Sequence, residues 1–242
     1  VEDLGDGIVA VGVLSLEALP AALETAVDGR GALAVVLWPR LAGLGYPYAD
    51  ILQLAQEGAW DRLDQLLGGV REQILSLRGT GVPVVVALEG DARGAASTLA
   101  LWADGVVAHA RTSLGFPGAV QGLLPLGAAT ALGCRLSATP GLGPAAGGEA
   151  GRGTEAREAA AGFAKTLLEA DGWESAADAR RAGFLGPEAV VSLDRDGLVD
   201  TAAALARALA AGAFRLAPAT GAQKAGHGEA VGGPTGSLSP VE

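Results

Sequence analysis

Residues 83–135, PVVVALEGDARGAASTLALWADGVVAHARTSLGFPGAVQGLLPLGAATALGCR, are the stretch on which the reading of this chain turns. Val84 to Leu88 is a continuous apolar run, too short for a helix and rich in β-branched side chains, the mark of a strand buried on both faces. Gly90 and Gly94 then bracket Asp91-Ala92-Arg93 in a turn. From Ala95 the small residues run into a helical pattern, Ala95, Leu99 and Trp102, that ends near Asp104-Gly105. A strand, a small-residue turn and a helix N-terminus leave backbone N–H groups without intrahelical partners, and such groups can hold an anion or an oxyanion. A short strand, Val106 to Ala108, comes next. It leads through a loop with Gly115, Pro117, Gly118, Gly122 and Pro125 to another alanine-rich helix.

Upstream, Ile8 to Leu14 reads as a strand behind the turn Asp6-Gly7, and 16–27 as an amphipathic helix with Leu16, Leu19, Leu23 and Val27 at helical spacing. Ala32 to Trp38 is the next buried strand. This is β-α-β, for which parallel strands and a right-handed crossover are the default. Pro39 to Tyr48 reads as a loop, and 59–78 as the clearest helix, with Leu63, Leu66, Leu67, Val70, Ile74 and Leu77 on one stripe. The pattern as far as Ala108 is that of an alternating α/β layer protein.

Downstream, 137–153 is nearly all Gly, Ala, Pro and Ser, so a mobile loop is expected there. A helix resumes over 154–170. Ser175 is placed to cap a helix over 176–182 that Gly183 closes, Val190 to Leu193 is a short apolar stretch, and 198–211 is a last helix. The expected domain is 1–216, with a low-complexity, disordered tail over 217–242. No internal repeat is found.

Composition bounds the function. With 242 residues, half of them apolar, the chain can bury one sizeable core without disulfides or metal, and its one cysteine, Cys134, reads as a small buried apolar residue. A formal charge of −10 argues against nucleic-acid binding, which needs a basic face. No apolar run has the length of a membrane span, and the acidic Glu2, Asp3 and Asp6 are unlike a signal peptide, so a cytoplasmic protein is expected. Methionine is absent and Val1 comes first, which points to a trimmed chain, a fragment or a non-standard start.

The runs GDARGAASTLALWADGVVAHA and SLGFPGAVQGLLPLGAATALGCR resemble the crotonase (enoyl-CoA hydratase/isomerase) superfamily, whose core reads as strand, G-x-A-x-G-G-G-x-E-L-A-x-x-x-D, strand, F-G-x-P-E, then G-x-x-P-x-G-G-G. On either side, AQEGAWDRLDQLL with LRGTGVPVVVA, and SAADARRAGFL, look like the crotonase part of the two-domain bacterial 3-hydroxyacyl-CoA dehydrogenases. The G-x-G-x-x-G fingerprint of a dinucleotide site is missing, so NAD is not implied. The resemblance implies an α/β fold, a crotonase-like spiral of β-β-α units with C-terminal helices, assembled as a homotrimer or hexamer. It also implies an acyl-CoA ligand in fatty-acid metabolism, no other cofactor or metal, and a separate dehydrogenase partner.

Chemistry in that family needs two backbone N–H donors on the thioester oxygen and one or two carboxylates to move protons. By the resemblance, one donor is Ala95. The other is Gly43 if AQEGAW fixes the register, or Tyr46 if Tyr48-Ala49-Asp50 matches the family's G-A-D. The two glutamate positions fall on Thr98 and Gly118, and neither is acidic. The glycines of the first motif become Gly94-Ala95-Ala96, whose methyl groups narrow the approach. Each positioned acid or base contributes about 10²–10⁴-fold, so a very poor hydratase with its oxyanion hole retained is expected.

Asp91, Glu89 and Asp50 are the candidate substitute acids for an active hydratase, although turn acids more often satisfy backbone N–H groups. Asp104 reads as structural, and His109 as a surface or strand-end residue. Trp102 and Phe116 are expected at the pocket, with Trp60 packing and Arg71, Arg78 and Arg93 on solvated faces. A structural or assembly module is a further reading. The least favoured is a serine peptidase of the Clp type on the same spiral fold: Ser97 sits in a small-residue turn, but Gly122 stands where that family has its histidine.

Overall fold

The computed structural model describes residues 1–39, 46–119, 122, 123, 125–127, 161, 162, 165 and 172–212. Its centre is a six-stranded sheet whose spatial order is its chain order. The strands are β1 (Glu2–Asp3), β2 (Ile8–Val13), β3 (Ala34–Pro39), β4 (Val84–Leu88), β5 (Gly105–His109) and β6 (Val190–Ser192). β1 pairs antiparallel with β2, and every later pair is parallel. The helices are α1 (Leu19–Glu24), α2 (Tyr48–Gln56), α3 (Trp60–Gly79), α4 (Ala95–Trp102), α5 (Ala176–Arg181) and α6 (Leu198–Ala210).

Strand alternation explains the layering, because successive side chains point to opposite faces. Val9, Val11 and Val13 of β2, Val35 and Leu37 of β3, Val84, Val86 and Leu88 of β4, and Val106 and Ala108 of β5 share one core with residues of α1, α3, α4 and α5. The alternate set, Ile8, Ala10, Ala34, Val36, Val85, Ala87 and Val107, packs on α6 through Leu198, Ala202, Ala203, Ala206 and Leu209. Burying a valine or leucine side chain contributes about 1.5–3 kcal/mol, and a one-residue slip would exchange the two sets. Parallel strands added in chain order with right-handed crossovers keep the crossover helices on one face. α6 closes the other side, and the result is the α/β architecture expected from the sequence. Two isolated bridges, Asp91 with Ser113 and Leu114 with Trp173, tie the turns beyond the sheet to one another.

The boundaries move in places. The first helix starts at Leu19, where Pro20 occupies the first turn, and runs on into a π turn over Thr25–Gly29. α2 occupies part of what reads as featureless sequence. Ser175 caps α5 as expected, its Oγ accepting from the Asp178 amide at 3.1 Å, and Gly183 follows at φ +78°. Of the helix expected over 154–170, Ala161, Gly162 and Lys165 are described and helical. The 137–153 loop, the tail from 217 and Cys134 lie outside the described residues, as does the alanine-rich helix expected after Pro125.

Candidate functional site

β4 delivers the chain to a tight turn. Gly94 sits at φ +76°, ψ −123°, a conformation that a side chain disfavours, and from there α4 begins at Ala95. The turn is stitched down by the 113–115 segment. The Ala92 amide donates to the Ser113 carbonyl and the Gly94 amide to the Gly115 carbonyl, each at 2.8 Å. Ser97 locks the other side: its Oγ donates to the Ala92 carbonyl at 2.8 Å and accepts from the Gly115 amide at 2.9 Å. Its hydroxyl is thus a bracket for the turn, and the one described histidine, His109, takes the Arg111 amide on Nδ1 at 3.3 Å. The Ala95 N–H has no acceptor among the described residues, the state a first-turn amide needs if it is to donate to a ligand. Gly43, the other expected donor, lies outside the described residues, and Tyr46, its alternative, is described and buried.

Two phenols meet the positions assigned to the family glutamates. Thr98 is fully buried, and the Tyr46 hydroxyl forms a short hydrogen bond with its Oγ1. The same phenol donates to the Leu126 carbonyl at 3.2 Å. Burial lifts the Tyr46 phenol far above its ordinary 10.0, while the bond to Thr98 works in the opposite direction. At position 118, a Cβ built on the glycine would lie 2.9 Å from Cε1, Cζ and the hydroxyl oxygen of Tyr48. That hydroxyl lies against the Gly118 backbone; part-burial raises the Tyr48 phenol, and the Gly118 backbone works in the opposite direction. The two rings stack edge to face with centroids 5.7 Å apart.

The candidate acids stand elsewhere. Arg93 grips Asp91 with Nε and Nη2, both at 2.8 Å, and this holds the carboxyl below its ordinary range. Glu89 accepts from Arg195 Nε at 3.0 Å, beside a cavity of about 350 Å³ that Trp38, Asp196, Leu198 and Val199 also line, next to the start of α6. Asp50 is exposed in the first turn of α2. Asp104 takes the structural place read for it, its Oδ2 accepting from the Val84 amide at 2.9 Å. Trp102 is buried with Nε1 on the Gly127 carbonyl at 2.9 Å, and the Arg78 guanidinium lies over its ring. Phe116 is buried against Phe184. Trp60 is largely exposed. Among the described residues no cluster could hold a metal ion, and no helix is long and apolar enough to cross a membrane.

Sequence reading missed the side chains of Tyr46 and Tyr48. The available signal was that the chain's only two tyrosines flank Pro47, in the segment expected to supply an oxyanion donor.

No protein-family model matches the sequence, and no curated protein matches it. Solved structures do match. The chain is similar to an enoyl-CoA hydratase from Polaromonas sp. JS666, at 24% identity and TM-score 0.59, over 81% of this chain and 66% of that one. It is similar to enoyl-CoA hydratase from Bacillus anthracis at 20% identity and TM-score 0.61, over 86% and 75% of the two chains. A third, from Bacillus halodurans, gives 15% identity and TM-score 0.62 over 86% and 79%. The chain therefore has the crotonase fold, that of the enoyl-CoA hydratases, and spans about two thirds of the Polaromonas protein.

Proposed function

We propose that this chain binds acyl-CoA thioesters in the crotonase manner and has little or no enoyl-CoA hydratase activity. What carries the reading is that tyrosine hydroxyls, and no carboxylates, stand at Thr98 and Gly118. A phenol whose proton is held more tightly than usual is a poor general base at neutral pH, so water activation lacks its agent. The Ala95 amide still faces the turn from a helix N-terminus and is suited to a thioester oxygen. The reading extends to a cytoplasmic protein of fatty-acyl-CoA metabolism, assembled as a homotrimer or hexamer and working beside a separate dehydrogenase. Coenzyme A enters as part of the ligand, with no other cofactor.

Titration with crotonyl-CoA, following heat and enoyl absorbance together, tests this. Binding without loss of absorbance is the expected result. Hydration at rates typical of enzymes would overturn it and return Asp91, Glu89 or Asp50 to consideration, the first two after release from their arginines. Absence of binding at millimolar ligand would leave the chain as a structural or assembly module.

A further inference from the structure

The two tyrosines spend their hydroxyls differently. Tyr46 has two oxygen partners, the Thr98 hydroxyl and the Leu126 carbonyl, and is almost wholly buried. Tyr48 is part-buried, holds its hydroxyl against the Gly118 backbone, and has no acceptor for its own proton among the described residues. A phenolic O–H without an acceptor is free to donate to a ligand. The Tyr48 hydroxyl stands on the 116–118 turn. That turn is bound to the start of α4 through Gly115, which accepts from the Gly94 amide at 2.8 Å and donates to Ser97 at 2.9 Å. Ala95 follows directly.

Resting on the acyl-thioester reading above, we infer that Tyr48 is a ligand-binding residue whose phenolic O–H donates to an acceptor oxygen of the bound acyl thioester. It stands where the family has an acid-base glutamate. The described part of the site then offers donors only, the Ala95 amide and the Tyr48 hydroxyl. Its ligands are those with electron-rich oxygen near the thioester carbon, and neutral groups that must themselves donate gain nothing there. Gly118 is the positioning residue: its missing side chain leaves room for the ring.

Because the chain has two tyrosines in all, uniform 3-fluorotyrosine labelling gives two fluorine signals, and Tyr48→Phe assigns them. Addition of crotonyl-CoA is expected to move the Tyr48 signal and leave the Tyr46 signal nearly in place. In unlabelled protein, Tyr48→Phe is expected to bind crotonyl-CoA about fivefold more weakly, the effect of one neutral hydrogen bond. The red shift of enoyl absorbance on binding should also shrink, which loss of packing alone would not cause. Should heat report binding while the Tyr48 signal stays fixed, or should Tyr48→Phe bind as tightly with the same absorbance shift, the assignment to Tyr48 is wrong and the acyl-thioester reading survives. If the wild-type protein takes up no crotonyl-CoA, both fall. The labelled wild type gives its answer even if the variant does not fold.

Discussion

Tyr46 and Tyr48 are two residues apart, touch ring to ring, and end in opposite situations. One is buried to 7% exposure with its hydroxyl shared between Thr98 and Leu126. The other is part-buried, its ring end against Gly118, with no acceptor for its proton among the described residues. The residue type is therefore a poor guide to role here, and the surroundings decide. Thr98 and its phenol belong to the core, whereas beside Gly118 the phenol is only part-buried.

The sharpest way to break this contrast is to place a carboxylate at position 98. Thr98→Glu places a charge in a fully buried site whose phenol neighbour is already bonded. Burying an unpaired charge ranks among the largest single-residue costs, about 3 kcal/mol or more. A collapse of the denaturation midpoint is expected, with no gain of hydratase activity. A variant as stable as the parent would show that position 98 is an open pocket wall, and the contrast would be lost.

Removing the phenol itself asks the same question more gently. Tyr46→Phe leaves the Leu126 carbonyl short of a donor and is expected to cost about 1–3 kcal/mol in urea unfolding. It also has a pH signature. The folded pKa of Tyr46 is raised, so its contribution is complete below the unfolded value of about 10. Above that pH the unfolded chain loses the proton while the buried phenol keeps it, and stability falls by up to about 1.4 kcal/mol per pH unit. The half-buried Tyr48 adds a weaker trend of the same sign. Unfolding free energies compared at about pH 9 and pH 11 should diverge for the parent and much less for Tyr46→Phe. Equal slopes would mean that Tyr46 is less buried than described.

At Gly118 the expected effect is smaller and falls on binding. A Cβ 2.9 Å from the Tyr48 ring forces that ring to move, and a side chain that is only part-buried can swing outward. Gly118→Ala should therefore lose about 1 kcal/mol or less of stability, while its crotonyl-CoA affinity falls at least as far as that of Tyr48→Phe. If affinity is untouched, the glycine is not what positions the phenol.

How much of this was open to a reader of the sequence depends on how local each signal is. The strands at 84–88 and 106–108 announce themselves because both faces are buried, which leaves unbroken apolar runs. The turn at Gly94 and the helix start at Ala95 were legible for the same kind of reason, a strand, glycines and small residues within a short span. α2 was not: it buries only Ile51 and Leu54, too few positions for a visible period. β1 is two acidic residues held in place by pairing with β2, with no propensity of its own. The bond from Tyr46 to Thr98 joins residues 52 positions apart, and nothing along the chain encodes such a meeting. That Thr98 and Gly118 are not acidic could be read directly. That two phenols stand beside them could not.

Asp91 supplies the smallest effect and a control for the rest. Its carboxylate lies beside the turn that starts α4, yet Arg93 holds it on the outside, with the aspartate side chain 60% exposed. Exposed pairs of this kind contribute about 0.2–1 kcal/mol because water and salt screen them. The folded pKa is depressed, so that contribution is present above the unfolded value near 4 and is lost as the pH falls through the folded one. Asp91→Asn is accordingly expected to change stability by a few tenths of a kcal/mol at neutral pH and by nothing in strong acid, with crotonyl-CoA affinity unchanged. A large fall in affinity would place a carboxylate back among the groups that meet the ligand, and the donor-only character of the site, which separates Tyr48 from an ordinary family acid, would not stand.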